Sequence, residues 1–403
     1  MPDKKILIIA GEASGDLHGA RLVERLLSRS PGLTIYGIGG DEMKRAGVRI
    51  ACHASELAVV GLVEVVGRLR TILRAFRMVR RSLSEDRPDL VVLIDFPDFN
   101  LRVARQAARR GVPVVYYISP QIWAWRRSRI RQIAKYVNRM IVIFPFEEAM
   151  YREQGVPVTY AGHPLMDRFE PDRLEEKREE AYARYGLSPL YPVLGLFPGS
   201  RAGEVASLLP VMLGAARLLY RRFPRMQFLL AQGPGLGDEE YQRFLDGADL
   251  PLVCMRQGIG PGAGVCDLAL VASGTATLEL ALLGIPMIVV YRVSRLTFAL
   301  GRLLVRVPMI AMVNLVAGKA VVPEMIQGDL TEENLYEACL PFFEHATYTM
   351  QVKKDLARVR ELLGLPGASE RAARVVCEIL DDRDRGSGVR DEARGGERAK
   401  SKG

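Results

Sequence analysis

The sequence predicts an α/β protein made of two nucleotide-fold domains facing one cleft. Three observations carry that reading. Apolar, strand-like runs alternate with helical stretches almost throughout. Most of the runs are unbroken Val/Ile/Leu, as parallel strands buried on both faces require. Each half also holds a run that stops at small residues poised to begin a helix: Lys4–Ala10 into Gly11–His18, and Asp267–Ala272 into Ser273–Glu279. Helix N-termini offer free N–H groups and a positive dipole end, which suits anions. Two such units suit an enzyme that joins an activated donor to an acceptor.

Bulk properties narrow the class. At 403 residues the chain exceeds one ordinary core, so two domains are the default. Apolar content of 49% with 26% charged residues marks a globular chain. No stretch reaches the ~20 consecutive apolar residues of a membrane span. The N-terminus enters a strand without a signal-peptide pattern, so a cytosolic protein is expected. Five cysteines without CxxC spacing read as free thiols. The net charge of +9, largely arginine, invites nucleic acid, anionic lipid or a phosphorylated substrate.

In chain order, strands are expected at 4–10, 34–38, 89–95, 113–118 and 139–144, then at 192–197, 226–231, 251–255, 267–272 and 286–291. The Arg/Glu-rich stretch 168–186 breaks the alternation and is expected to link domains at 1–167 and 187–340. Helical periodicity resumes after 331 and runs to about 380. Residues 381–403, nearly free of apolar side chains, should form a disordered tail.

Several motifs sit at strand ends. Gly11-Glu-Ala-Ser-Gly-Asp16 departs from the dinucleotide GxGxxG pattern, which argues against hydride transfer. Its Glu12, Ser14 and Asp16 can meet a substrate hydroxyl, and Ser14 or Asp16 can equally cap the following helix. Ile94-Asp-Phe-Pro-Asp-Phe-Asn100 delivers Asp95 and Asp98 beside two aromatics, a setting that can raise a carboxylate pKa and make a general base. Asp98 can also cap the helix near Asn100. Pro198-Gly-Ser-Arg201 sets an arginine at the ligand-binding end of a strand, where its planar fork suits a diphosphate. A surface arginine after a tight turn reads the same way. In Ser273-Gly-Thr-Ala-Thr-Leu-Glu279 the glycine allows close approach, three hydroxyls add donors, and Glu279 can accept from ribose. A capped turn without a ligand has the same sequence.

No metal site stands out. The DxD at Asp382–Asp384 opens the charged tail, and His18, His53, His163 and His345 lack ligand spacing. His163 can reach a cleft or be structural. From 62 to 83, apolar residues recur at helical spacing with arginines at 68, 70, 74, 77, 80 and 81. Such a helix either docks on an anionic membrane or packs on a core with a solvated outer face. Gln121–Arg131 sets two tryptophans beside arginines, which suits single-stranded nucleic acid or a sugar or lipid phosphate.

Taken together, GEASGD (11–16), YGIGGDEM (36–43), IDFPDFN (94–100), YYISPQIWAW (116–125), AGHPL (161–165), PGSR (198–201), SGTATLE (273–279) and MVNLVAGKAVVPE (312–324) closely resemble the lipid-A-disaccharide synthase family. They span nearly all of 1–380. The resemblance implies two Rossmann-like domains of the metal-independent GT-B type, without a cofactor, and terminal helices at 341–380 crossing back to the first domain. It implies transfer of 2,3-diacylglucosamine from UDP-2,3-diacylglucosamine to 2,3-diacylglucosamine 1-phosphate. The products are a β-1,6-linked disaccharide 1-phosphate and UDP, formed by inverting displacement.

On that reading Asp98, with Glu12 as rival, takes the proton of the acceptor 6-hydroxyl. Ser200, Arg201, Ser273, Gly274, Thr275, Ala276 and Thr277 hold the diphosphate, and Glu279 holds the ribose. Asn314 and Glu324 face the donor, while Ser14, Asp16 and His163 are acceptor-side candidates. Acylated substrates favour membrane contact through Leu62, Val66, Leu69, Leu73 and Phe76. The enzyme would then sit peripherally on the cytoplasmic face of the inner membrane, with no nucleic acid partner. The alternatives are another GT-B UDP-sugar transferase, a UDP-N-acetylglucosamine epimerase, or a noncatalytic RNA- or lipid-binding protein.

Overall fold

The structure, a computed structural model, describes residues 4–57, 62–120, 122, 128–233, 236–256, 259–294, 298 and 309–382, with backbone alone at 13, 62–69 and 261. Of the tail expected at 381–403, Asp381 and Asp382 instead end a helix, and the rest lies outside the described residues, as do Trp123, Trp125 and the side chains of Leu62, Val66 and Leu69. The chain divides into two units, Met1–Asp167 with Leu365–Gly403, and Arg168–Gly364.

The first unit holds seven parallel strands: β1 (Lys5–Ala10), β2 (Thr34–Gly39), β3 (Arg49–His53), β4 (Leu90–Ile94), β5 (Val114–Tyr117), β6 (Arg139–Val142) and β7 (Val158–Tyr160). Between them run α1 (Ala13–Arg29), α2 (Asp41–Arg45), α3 (Ala54–Leu57), α4 (Leu62–Glu85), α5 (Pro97–Ala108), α6 (Arg129–Tyr136) and α7 (Pro145–Glu153). The sheet order is β3-β2-β1-β4-β5-β6-β7.

The second unit has six parallel strands: β8 (Val193–Phe197), β9 (Gln227–Ala231), β10 (Leu252–Met255), β11 (Leu268–Ala272), β12 (Met287–Tyr291) and β13 (Glu324–Ile326). Its helices include α8 (Leu174–Tyr185), α9 (Ala202–Arg222), α10 (Asp238–Leu245) and α11 (Ala276–Leu282), followed by Met312–Ala317, Glu332–Glu344 and Ala346–Leu362. The order is β10-β9-β8-β11-β12-β13. In both sheets the winding reverses beside the first strand, and open α/β sheets bind ligands at that switch point. The loop after β1 therefore neighbours the loop after β4, and the loop after β8 neighbours the loop after β11.

All ten expected strands are present. The sequence reading passed over β3, β7 and β13, which lie at sheet edges and are half-buried rather than fully buried. Short edge strands have no need of a continuous apolar run. α9 is long and apolar enough to cross a membrane. Its Val205, Leu208, Leu209, Met212 and Leu219 are buried within the second unit, as in a core helix.

Two boundaries differ from the expected ones. The stretch 168–186 belongs to the second unit: Ala181 of α8 is buried, and the Tyr182 hydroxyl donates to the Val265 carbonyl (3.3 Å). Helices Glu332–Glu344 and Ala346–Leu362 also belong there, so the return to the first unit begins at Leu365.

A helix at 368–382 then packs on the first unit through buried Ala372, Ala373, Val376 and Leu380. The Asp167 carboxylate accepts from the N–H groups of Gly367 (2.7 Å), Ala368 (2.8 Å) and Ser369 (3.0 Å) at its start. Burial alone would raise the Asp167 pKa, but these donors outweigh it and hold the group below its ordinary value. Asp167→Ala should therefore cost about 1–2 kcal/mol, as the loss of a helix cap does. Because the native pKa is depressed, this stability is present above the unfolded value of about 3.9 and lost as pH falls through the native one. Urea unfolding at pH 7 and at pH 3 measures both effects.

Candidate active site

In the second unit the turns after β8 and β11 line a cavity of about 480 Å³. Gly199 has a φ of +105°, a conformation that side chains strain against, and it brings Ser200 and Arg201 to the rim. Gly233, after β9, lies so close that a Cβ there would sit 2.7 Å from the Ser200 Cα. Glu204, in the first turn of α9, accepts from the Ser200 N–H (3.2 Å) and pairs with Arg201 (3.5 Å). The arginine is thereby oriented at the cavity while its guanidinium stays exposed to a ligand.

From β11 come Ser273, Gly274, Thr275 and Ala276, with Glu279 one helical turn further in. Burial pushes the Glu279 pKa up to about 7, partly offset by Arg168, which shares the cavity. Thr277, expected at a diphosphate, is fully buried and its hydroxyl donates to the Gly274 carbonyl (2.8 Å). It shapes the turn and does not line the cavity.

Asn314 and Glu324 also differ from the sequence expectation. The buried Asn314 amide donates to Val322 O (2.9 Å) and to Glu324 (2.8 Å), and accepts from Val321 N (2.8 Å) and Val322 N (3.0 Å). Glu324 accepts from the N–H groups of Ile310 and Ala311, both at 3.0 Å. The Ile310 carbonyl in turn accepts from the Ser273 hydroxyl (3.1 Å). Both side chains thus spend their polar atoms on the segment that fastens Ser273.

The first unit gathers carboxylates at the ends of β1 and β4. Asp95 and Phe96 have φ of +44° and +48°, two consecutive non-glycine residues in the left-handed region. Such residues cost about 1 kcal/mol or more each and persist where their surroundings impose them. Asn100 Nδ2 donates to the carbonyls of Ile94 (3.1 Å) and Asp95 (2.7 Å), and the Tyr116 hydroxyl donates to Asp95 O (2.6 Å). Gly11 is required opposite them, since a Cβ there would lie 2.4 Å from the Phe96 ring.

Asp95 is half-buried, and its pKa is raised to about 6 by burial first and by the Glu12 charge second. The Phe96 N–H partly opposes both. The sequence motif contained Asp95, but without the β1–β4 pairing nothing linked it to Glu12. Glu12 is exposed at the N-cap of α1, and Asp98 is exposed in the first turn of α5, where it pairs with Arg129 of α6.

The acceptor-side candidates separate. Ser14 is exposed. Asp16 is buried and accepts from the N–H groups of Gly40 (2.6 Å), Glu42 (3.0 Å) and Met43 (3.1 Å), which caps α2 and leaves it no substrate role. His163 is buried against Phe144, accepts from Leu165 N (3.2 Å), and has its pKa pushed down to about 3 by burial and then by His18. It is a neutral histidine that fixes a turn.

On α4, the Phe76 ring packs tilted against Phe99 with centroids 4.1 Å apart and sits on the core, so it is not a free membrane contact. Leu73 is 49% exposed. Among the described residues no three His, Cys, Asp or Glu side chains cluster as metal ligands.

The family model described as lipid-A-disaccharide synthetase matches residues 6–378. A lipid-A-disaccharide synthase of Geobacter metallireducens is 47% identical over 94% of this chain and 98% of its own length. The one from Myxococcus xanthus is 42% identical over 93% and 97%, and the one from Coxiella burnetii is 39% identical over 94% and 100%. Among solved structures, UDP-GlcNAc 2-epimerase from Neisseria meningitidis covers 93% of this chain and 100% of its own at a TM-score of 0.63 and 13% identity. The calicheamicin glycosyltransferase CalG4 covers 94% and 99% at 0.60 and 18%. At such identities these two likenesses concern the fold alone, which is that of GT-B enzymes.

Proposed function

We propose that this chain, which belongs to the lipid-A-disaccharide synthase family, transfers 2,3-diacylglucosamine from UDP-2,3-diacylglucosamine to 2,3-diacylglucosamine 1-phosphate, releasing UDP. The family match over 6–378 carries the reading. The test is UDP release in detergent micelles with both acylated substrates and EDTA, with mass analysis of the lipid. A disaccharide 1-phosphate is expected. Its absence with well-folded enzyme, even after magnesium is restored, would return the chain to other UDP-sugar chemistry.

The second unit supplies the donor half. Arg201, oriented by Glu204, and the hydroxyls of Ser200 and Thr275 are suited to the negative charge that builds on the departing diphosphate, while the Ser273 hydroxyl, held by the Ile310 carbonyl, fixes the turn. Glu279 accepts from the ribose hydroxyls. That role favours the ionised carboxylate, and its pKa near 7 makes donor binding depend on pH. Affinity for a UDP-sugar should rise roughly tenfold between pH 6 and pH 8 as the carboxyl loses its proton. Glu279→Gln should flatten the rise, which calorimetric titration at the two pH values reads directly.

The first unit supplies the acceptor half. In an inverting displacement a base takes the proton of the attacking hydroxyl. Asp98, exposed beside Arg129, is our choice, and the coupled Glu12–Asp95 pair is the rival favoured by the raised pKa of Asp95.

Acylated substrates also support peripheral association with an anionic membrane surface. The described part of α4 has Arg70, Arg74, Arg77, Arg80 and Arg81 exposed, with Ala75, Val79 and Leu83 buried. Leu73→Ser should lower binding to anionic vesicles by roughly tenfold, the effect of withdrawing one leucine from lipid, without disturbing the core. Unaltered co-sedimentation would remove Leu73 from the contact.

A further inference from the structure

A second cavity, of about 370 Å³, opens between α5 and α6, and the transfer scheme uses only its Asp98 and Arg129. Asp98, Arg102 and Arg105 fall at i, i+4 and i+7 on α5. Arg129, Gln132 and Tyr136 fall at i, i+3 and i+7 on α6. Those spacings set each trio on one helix face, and all six residues line the cavity.

Three guanidinium groups thus meet one carboxylate. Arg129 is paired with Asp98. Arg102 and Arg105 are exposed, and neither makes an ion pair or side-chain hydrogen bond with a described residue. Two free guanidinium forks on one wall match an anion of charge −2 with several acceptor oxygens, as a phosphate monoester is near neutral pH. The volume lies within the range of small-molecule sites. From Asp98 to Arg105 the α5 axis runs about 10 Å. That is comparable to a hexose carrying reactive groups at opposite ends.

We propose that the α5–α6 cavity binds the phosphate monoester of the acceptor sugar, with Arg102 and Arg105 gripping the phosphate and Asp98 at the sugar hydroxyl. This rests on the transfer reading, which supplies a phosphorylated acceptor. The arginines then select the 1-phosphate and place the ring with its far hydroxyl at the base, while Arg129 orients the Asp98 carboxylate. Anionic lipid headgroups offer the same phosphate chemistry, so the test must separate the two sources.

The test is steady-state transfer in micelles by the full chain and by the Arg102→Ala/Arg105→Ala variant, at saturating donor. The acceptor is 2,3-diacylglucosamine with or without its 1-phosphate. The variant should lose roughly tenfold or more of the preference for the phosphorylated acceptor, through KM. Arg102→Lys/Arg105→Lys should recover part of it. A urea unfolding transition matching the parent's checks that the variant is folded.

An unchanged preference overturns the proposal. So does weaker binding to phosphatidylglycerol vesicles with an unaltered acceptor KM, which would assign the cavity to lipid headgroups. If the parent enzyme makes no disaccharide, the transfer reading fails by itself. Titration with soluble glucosamine 1-phosphate then tests the cavity alone: binding lost in the variant supports it, and equal binding overturns it.

Discussion

Asp98→Asn will lower kcat for disaccharide formation by roughly 10²- to 10⁴-fold, the range supplied by a positioned general base. The amide keeps the shape of the side chain and can still accept from Arg129, but it cannot take a proton. Asp98 is 68% exposed on the first turn of α5, but its partner Arg129 is 11% exposed and would lose its counter-charge, so urea unfolding of the variant must match the parent. With that match, a loss of rate reads as lost chemistry. Single-turnover assays with preformed donor complex would separate that loss from weaker acceptor binding. Turnover near the parent rate would dismiss Asp98, and Asp95→Asn would then be the decisive variant. Its pKa of about 6 predicts an acid limb in kcat/KM near that pH if Asp95 is the base, because only the ionised form accepts the proton.

Arg201→Ala should reduce kcat/KM by roughly 10²- to 10³-fold, the effect of deleting one preorganised group from developing negative charge. The guanidinium is 69% exposed and ion-paired with Glu204, so the fold should survive its removal. Arg201→Lys should recover only part of the rate, because a point charge lacks the planar fork that spans two phosphate oxygens. UDP-sugar titration shows how much of the loss is ground-state binding. An alanine variant with parent kcat and parent UDP-sugar affinity would remove Arg201 from the donor site.

The central strands were legible because burial on both faces demands unbroken apolar runs, as in Leu90–Ile94. The strand-end motifs were legible because Ser200, Arg201, Ser273 and Glu279 sit where a strand must turn into a helix. What depended on neighbours in space was not. Asp95 and Glu12 are far apart in sequence and interact because β1 pairs with β4. Asp16 looked available for substrate until the loop after β2 brought three N–H groups to it. Asn314 and Glu324 looked like ligand-facing polar groups, yet the turns at 310–311 and 321–322 use them. Phe76 has the spacing of a lipid-facing residue and the contacts of a core one, a difference that only the position of Phe99 decides.

The late return of the chain to its first unit has a consequence for biosynthesis. Every residue of the second unit has been made by Gly364, whereas the first still lacks the helix at 368–382, whose Leu380 carbonyl receives the Lys4 ammonium at 3.0 Å. Domains fold as units while the chain is still emerging from the ribosome. Here the order of completion runs opposite to the order of translation: the half made second is finished first, and the half made first waits for the last segment. A premature stop codon just after 364 would spare the later domain and cripple the earlier one.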